Sequence, residues 1–598
     1  MRSPPVLLAL AVFAALLPAV HSDVSWYDSG ELSTAAAVLG VGHPTGFPVF
    51  SALGHALSLL PLGAMPFRLA IGSAAAIAAA TGLLLALARR HGARLLPAAL
   101  GALFYPAVFV VWLHGGLVEV YALNGLAIAL LAWLLLRPDP DLARAAFVTG
   151  LALGTHASVV LSAATLWVFT SVRLRTLRPV LRAVPFGLLG ALVILYLPLA
   201  SLRDPWLDWG DPETPARLWR HLTASGIRES FAGEMGEGGA AGARALAAWA
   251  RLAAGPFPAL PLVLGAAACA VARPRVPALG LALVVLGDAV FSALLNPMGQ
   301  ADLQTGLPGA LGLAGLLALG AGTARGPRPA RLAATAAALL AVVTAASERP
   351  QDRATDEWAG AFGREALDAA PPGALVLTAT DHLSSLSLYL QGVEGYRPDL
   401  TVLVKQHLVD TPGVADRYAR SGLQPPEAFA SLDAADQLAR ALALVRAELP
   451  RRAVLWELGD GRFDPAVAQV LRPAGLLYRV ATDPEDAARP LPVEPSAVAA
   501  LVDARAPTDP PRFRTRRVLS DSERLRGTWR LLRGETAAAA TPLAAAVALD
   551  PESARAWVAL AALQHRRGER AAAIATLERA LRLDPDYAKA RENLEAYR

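Results

Sequence analysis

The stretch EVYALNGLAIALLAWLLL, residues 119–136, runs straight into Arg137. Crossing a bilayer takes about 20 predominantly apolar residues, so a run this long with one carboxylate at its head reads as a membrane span. Its ends differ: Glu119, Tyr121 and Asn124 gather at one and arginine stands at the other. Similar runs recur near 67–88, 95–113, 180–200, 253–272, 277–296, 304–323 and 330–347. The run 145–172 is too long for one straight crossing, and Gly154-Thr155-His156 at its centre splits it into two short helices. Val6 to Val20, after Arg2, reads as an uncleaved first span, because Pro18 and His21 spoil a signal-peptide cleavage site.

Composition agrees with a membrane protein. The 598 residues are 54% hydrophobic and 18% charged, against about 25% charged for a soluble chain, and the mean hydropathy is +0.41. An entirely soluble enzyme is excluded, as is a disordered or fibrous chain. The formal net charge of +5 is too small to imply nucleic-acid binding. A lone cysteine, Cys269, rules out an internal disulfide framework and a cysteine metal cluster.

Arginine placement orients the spans. Clusters occur at Arg89, Arg90 and Arg94, at Arg137 and Arg144, at Arg173 to Arg182, at Arg273 and Arg275, and at Arg325 to Arg331. The connections 21–45, 114–118 and 297–303 carry no Lys or Arg, so the positive-inside rule puts these outside and the arginines in the cytoplasm. The alternation holds if 46–62, rich in Pro and Gly, lies at the interface without crossing. About 11 crossings result, with the N-terminus cytoplasmic and the C-terminal half extracytoplasmic. The expected fold is therefore a polytopic α-helical membrane protein over 1–347, then a soluble α/β domain over 348–515 and a helical repeat module over 520–598.

In the soluble half, Ala374–Thr380, Leu400–Val404, Ala453–Leu458 and Leu476–Ala481 read as strands, and 355–369, 383–391 and 432–448 as helices. No glycine-rich phosphate loop follows these strands, which argues against a nucleotide site. Leu549-Asp550-Pro551 recurs as Leu583-Asp584-Pro585, and Gly534 recurs as Gly568. This 34-residue period is the tetratricopeptide spacing, giving repeats 520–553 and 554–587 and a capping helix 588–598. They make either a groove for a peptide or protein partner or a packing module for the α/β domain.

Ionisable groups beside membrane spans are costly and so are functional candidates. Asp28-Ser29-Gly30-Glu31 puts two carboxylates three residues apart in the first external loop, followed by Gly42-His43-Pro44-Thr45-Gly46-Phe47-Pro48. On a helical turn one acid can take a proton from an acceptor hydroxyl while the other orients it or holds a cation. Equally, Asp28 can cap a short helix and Glu31 complete a capping box. Both readings stand on these residues alone. By the same topology His114, Glu119, Tyr121, Asn124, His156, Arg203, Asp204, Asp208, Trp209, Asp211, Glu213, Asn296, Gln300 and Asp302 converge on the outer face, which points to a polar cavity there.

Asp28-Ser29-Gly30-Glu31, His43-Pro44-Thr45-Gly46-Phe47-Pro48, Glu119-Val120-Tyr121-Ala122-Leu123-Asn124, Gly150-Leu151-Ala152-Leu153-Gly154-Thr155-His156 and Trp209-Gly210-Asp211-Pro212-Glu213-Thr214 occur in that order. Together, across 23–225, they resemble the large membrane family long catalogued as a domain of unknown function and related to protein O-mannosyltransferases. Thr45 stands where that family often has Pro. The resemblance implies a GT-C glycosyltransferase fold, a polyprenyl-phosphate sugar donor and an acidic motif in the first external loop; some members carry C-terminal tetratricopeptide repeats. On this reading Asp28 is the base for a Ser or Thr hydroxyl of a protein acceptor, and Glu31 positions that hydroxyl or a metal. Arg203 meets the phosphate, with His43 and His156 as alternative donors. Glu119, Tyr121 and Asn124 line the sugar pocket, and Asp211 is counted among the substrate-binding residues. A divalent metal is compatible with the acids, but no ligand spacing demands one, so no obligatory cofactor is expected. Rival readings are transfer to a lipid or glycan, a transporter of a lipid-linked intermediate, and a membrane scaffold. The polar residues gather at one surface and not at the midplane, and eleven spans exceed what an anchor needs.

Overall fold

The computed structural model describes residues 3–225, 240–296, 303–347, 357–404, 421–423, 426–427, 437–459, 465–489, 496–507 and 509–598. Gln300 and Asp302, and the start of the helix expected over 432–448, lie outside the described residues. The chain divides into two compact units. One comprises Met1–Asp23 with Leu32–Ala354; the other comprises Val24–Glu31 with Thr355–Arg598.

The first unit is helical. Met65–Arg90, Arg178–Ser201, Arg275–Leu295 and Arg328–Ala346 are each long and apolar enough to cross a membrane. Two bent pairs, Leu95–Ala107 with Phe109–Gly116 (69°) and Gly242–Ala254 with Ala259–Val271 (75°), make six among the described residues if each pair is one span. Eleven crossings would also need the shorter apolar helices Pro4–Ala19, Tyr121–Leu135, Leu142–Ala152, Val159–Leu174 and Leu307–Thr323. The helix Pro48–Ser58, at about 1.5 Å per residue, is too short to cross. Leu142–Ala152 and Val159–Leu174 stop and restart on either side of Gly154-Thr155-His156.

Exposure on one of these helices inverts the soluble pattern. Leu181, Phe186, Leu188, Leu192, Leu195 and Leu199 all face outward from Arg178–Ser201, as suits a helix with lipid as its neighbour. Inside, helices approach through small residues. A Cβ on Gly150 would lie 2.1 Å from the Gly187 oxygen, and one on Gly190 would lie 2.1 Å from the Phe147 oxygen. Backbones this close are the packing that small residues permit between membrane helices.

The second unit holds a five-stranded sheet, β1 (Leu375–Thr378), β2 (Thr401–Val404), β3 (Val454–Trp456), β4 (Leu471–Ala474) and β5 (Leu477–Val480), in the order β2-β1-β3-β5-β4. β1 is parallel to β2 and β3, while β5 is antiparallel to β3 and β4. Side chains alternate across it, as the two-residue period of a strand requires. Val376 and Leu455 enter one core with Trp358, Phe362, Leu386 and Leu390. Leu375, Leu377, Val454 and Trp456 enter the other with Leu444 and Trp529. Helices therefore cover both faces. Val24 and Trp26 belong to the first of these cores, which is why Val24–Glu31 groups with residues more than 300 positions away.

The sequence reading lacks β4. Pro473 lies within it, and proline is tolerated because β4 is an edge strand. Beyond the sheet, helices Phe513–Leu532, Ala540–Leu549, Ala554–Arg566, Arg570–Leu583 and Ala588–Tyr597 follow in series. The 34-residue offset is repeated in backbone geometry: Gly534 and Gly568 both have φ +78°, and Asp550 and Asp584 close their helices at φ −133° and −135°.

Candidate active site

Asp28 immediately precedes the helix Ser29–Val38, and Glu31 lies in its first turn. Their carboxylate oxygens lie within 4.8 Å of one another. Glu31 is 5% exposed and Asp28 is half-buried. The N–H of Glu31 is the donor that a capping box would use. Here it donates to Ser385 Oγ at 2.9 Å. The Ser25 N–H donates to Ser29 Oγ at 3.2 Å, which shapes the entry to the helix. Two carboxylates so close can divide the work of taking a proton and orienting a hydroxyl, or can share a divalent cation.

Within the first unit a file of rings runs from His114 to Trp209. Its ring-centre separations are 5.0 Å (His114–Tyr121), 4.9 Å (Tyr121–His156), 6.1 Å (His156–Phe47), 4.8 Å (Phe47–His43) and 6.1 Å (His43–Trp209). The His43–Pro48 segment is shaped for this. Gly46 has φ +86°, and a Cβ there would sit 2.5 Å from Leu197 Cδ2 and 2.9 Å from His221 Nε2. Glycine is required on both counts. The Val49 N–H donates to the Gly154 carbonyl at 3.0 Å, tying this segment to the turn that carries His156.

That turn is fixed by a small polar network. Asn124 Nδ2 donates to Ser158 Oγ at 2.8 Å, and Thr155 Oγ1 donates to Asn124 Oδ1 at 3.3 Å. Ser158 Oγ lies 2.8 Å from His156 Nδ1, which also accepts the Ser158 N–H at 3.2 Å. Burial, with His43 nearby, lowers the His156 pKa to about 4. The ring is thus neutral at pH 7, and with Nδ1 accepting, its proton sits on Nε2 as a donor. Glu119 is buried just before the helix Tyr121–Leu135, and His114 Nε2 lies 2.7 Å from the Leu303 carbonyl.

Arg203 and Asp211 belong to a third group. Arg203 donates to the Leu39 carbonyl at 3.1 Å, and the Tyr196 hydroxyl donates to the Gly40 carbonyl at 2.9 Å. The Trp209 N–H bonds the Val41 carbonyl at 3.0 Å beside a parallel bridge between Val41 and Asp208. Asp211 pairs with Arg217 and accepts from Ser201 Oγ at 3.2 Å, and that hydroxyl also lies 2.8 Å from Asp208. His221 is buried here, and burial, with His43 close by, pushes its imidazole down to about 3.

The structure thus joins His43, Tyr121, Asn124 and His156 through rings and hydrogen bonds, and holds Arg203 and Asp211 in the neighbouring turn after Tyr196–Ser201. Sequence reasoning missed Ser158, Ser201, Arg217 and His221, ordinary residue types whose importance comes from the partners that the fold sets beside them. It also passed over Asp288, a carboxylate inside an apolar helix that receives Trp249 Nε1 at 2.7 Å and the Gly309 N–H at 3.0 Å. A lone acid within an apolar run was a readable signal. Two surface hollows of about 650 and 500 Å³ are lined by none of these residues.

Comparison with known proteins adds partial matches. The family model described as Protein O-mannosyl-transferase TMEM260 N-terminal domain matches residues 28–177, beginning at Asp28. The Protein O-mannosyl-transferase TMEM260 of Mus musculus is 32% identical over 235 residues, covering 36% of this chain and 32% of that protein. The chain therefore spans about a third of the length of the curated relative it matches. Among solved structures, ArnT from Cupriavidus metallidurans in the apo state aligns with 81% of this chain and 98% of that one, at 14% identity and a TM-score of 0.39.

Proposed function

We propose that the chain is a membrane glycosyltransferase that moves a hexose, mannose in the first instance, from a polyprenyl phosphate to a Ser or Thr hydroxyl of an extracytoplasmic protein. The observation that carries this reading is the match of residues 28–177 to the N-terminal domain of a protein O-mannosyl-transferase. One matched segment contains Asp28, Glu31, His43, Glu119, Tyr121, Asn124 and His156. Apolar helices long enough to cross a membrane suit a donor that brings its own lipid anchor.

In the proposed reaction the Asp28 carboxylate takes the proton of the acceptor hydroxyl, whose oxygen attacks the anomeric carbon. The bond from that carbon to the phosphate oxygen breaks, and polyprenyl phosphate leaves with the electron pair. Glu31 orients the hydroxyl, or shares a divalent cation with Asp28 where one is bound. The neutral Nε2–H of His156 donates to a donor oxygen, and His43 is a second donor. Arg203 adds a fixed positive charge for the phosphate. Glu119 and Tyr121 line the sugar, while Asn124 acts by holding Ser158 against His156. The Val24–Glu31 loop and everything after Thr355 are extracytoplasmic, and the two 34-residue periods act as tetratricopeptide repeats that offer a peptide groove.

Mass spectrometry of extracytoplasmic proteins from cells with and without this chain tests the reading. The expected result is loss of a single hexose from Ser or Thr of particular proteins when the chain is missing. Unchanged hexose on every such peptide would contradict it.

A further inference from the structure

The α/β unit has no role in the reaction described so far, yet the acidic loop is built into it. Trp26, only 1% exposed, is buried in its core and donates Nε1 to Thr515 Oγ1 at 2.9 Å, across 489 residues of chain. Its ring meets Phe362 edge-on at 5.5 Å and His382 at 6.0 Å. Tyr27, at φ +64°, lies 4.7 Å from the His382 ring, with the Arg514 guanidinium 5.0 Å above its own. Gly30 lies directly against the helix Asp381–Gly392: a Cβ there would come within 2.2 Å of the Ser385 carbonyl oxygen. The Glu31 N–H then donates to Ser385 Oγ at 2.9 Å across 354 residues.

The helix that receives the loop is itself clamped. Glu457, just past β3, accepts from the Ala379 N–H at 2.6 Å, the Thr380 N–H at 2.9 Å and Thr380 Oγ1 at 2.5 Å. Thr380 Oγ1 in turn caps the helix through the Leu383 N–H at 3.3 Å. The carboxyl ends of parallel strands, where a doubly wound sheet places its ligands, here hold a helix that grips another part of the same chain. A loop needing only to connect two helices would not bury a tryptophan in a distant core or require glycine at a backbone contact.

We propose that the α/β unit is the seat of the acidic loop, and that Ser385 is a positioning residue that holds Gly30–Glu31 so that the Asp28 and Glu31 carboxylates keep their mutual placement. The catalytic meaning of that placement rests on the glycosyl-transfer reading; the seat itself does not.

The test uses the full chain in lipid nanodiscs, as wild type, Ser385→Ala and Thr515→Val, with two readouts. These are amide hydrogen exchange over residues 28–33 and turnover with polyprenyl-phosphate mannose and a Ser/Thr peptide. Losing one hydrogen bond of this kind should raise exchange at Glu31 in Ser385→Ala about 3- to 10-fold and lower kcat by a similar factor, with KM for the donor unchanged. Thr515→Val should loosen the same amides through Trp26. Exchange over 28–33 identical to wild type in both variants would overturn the seat. Raised exchange with unaltered kcat would overturn the positioning role of Ser385. A wild type that transfers no hexose, while Ser385→Ala still loosens the loop, would overturn the transfer reading and leave the seat standing.

Discussion

Asp28 and Glu31 stood out in the sequence because carboxylates beside apolar spans are expensive to keep. What the sequence left level was whether they cap a helix or do chemistry. The Glu31 N–H donates to Ser385 Oγ, a partner 354 residues away that neither reading foresaw. Gly30 between them illustrates a residue whose reason is purely spatial, since its Cα faces the Ser385 carbonyl. Gly30→Ala forces that backbone contact apart and should destabilise the fold by about 1–3 kcal/mol, as overpacking does. Denaturant unfolding of the purified chain would measure it, and an unchanged midpoint would show that the contact is slack. Ser385, Ser158 and Arg217 were illegible for the opposite reason: ordinary residue types, made significant only by partners that the fold brings to them.

Among the elements, those with strong local signals read well. The break between Leu142–Ala152 and Val159–Leu174 followed from the length of the run and its central Gly154. The strand runs around β1, β2, β3 and β5 were apolar enough to see, whereas β4 was hidden by Pro473. The segment Val24–Glu31 could be read as a loop but not as part of the α/β core, because nothing in Trp26 itself announces Phe362 and Thr515 as neighbours. Trp26→Ala should therefore act as a core truncation and cost about 3–5 kcal/mol. Trp26→Phe keeps most of the apolar contact and loses the bond to Thr515, at about 1 kcal/mol. Equal and small losses from both, measured by thermal unfolding of the full chain, would mean that the tryptophan is not a buried anchor.

Acid response belongs to the chain as a whole. His221 and His156 are held neutral by burial, at about 3 and about 4 against an ordinary value of 6.5. Between pH 6.5 and those values the unfolded chain binds more protons than the folded one, so their contribution to stability is full above about pH 6.5 and is lost as the pH falls. Thermal unfolding midpoints should drop on acidification through that window, and His221→Asn should flatten the slope. A midpoint independent of pH over that range would contradict the buried neutral histidines.

Hydropathy alone was enough to see a helical membrane part followed by an α/β part, because burial in lipid and burial in a soluble core leave different compositions. The long-range union of an early loop with a late sheet was not visible, since it depends on contacts hundreds of residues apart.

The account turns on Asp28 as the base of a sugar transfer. The decisive measurement is the rate of polyprenyl phosphate release by the reconstituted chain, as wild type and as Asp28→Asn, with polyprenyl-phosphate mannose and a Ser/Thr peptide. Loss of a general base predicts a fall of about 10²–10⁴-fold, with stability lowered by no more than the ~1 kcal/mol of a lost cap. Near-normal release by Asp28→Asn would contradict the assignment.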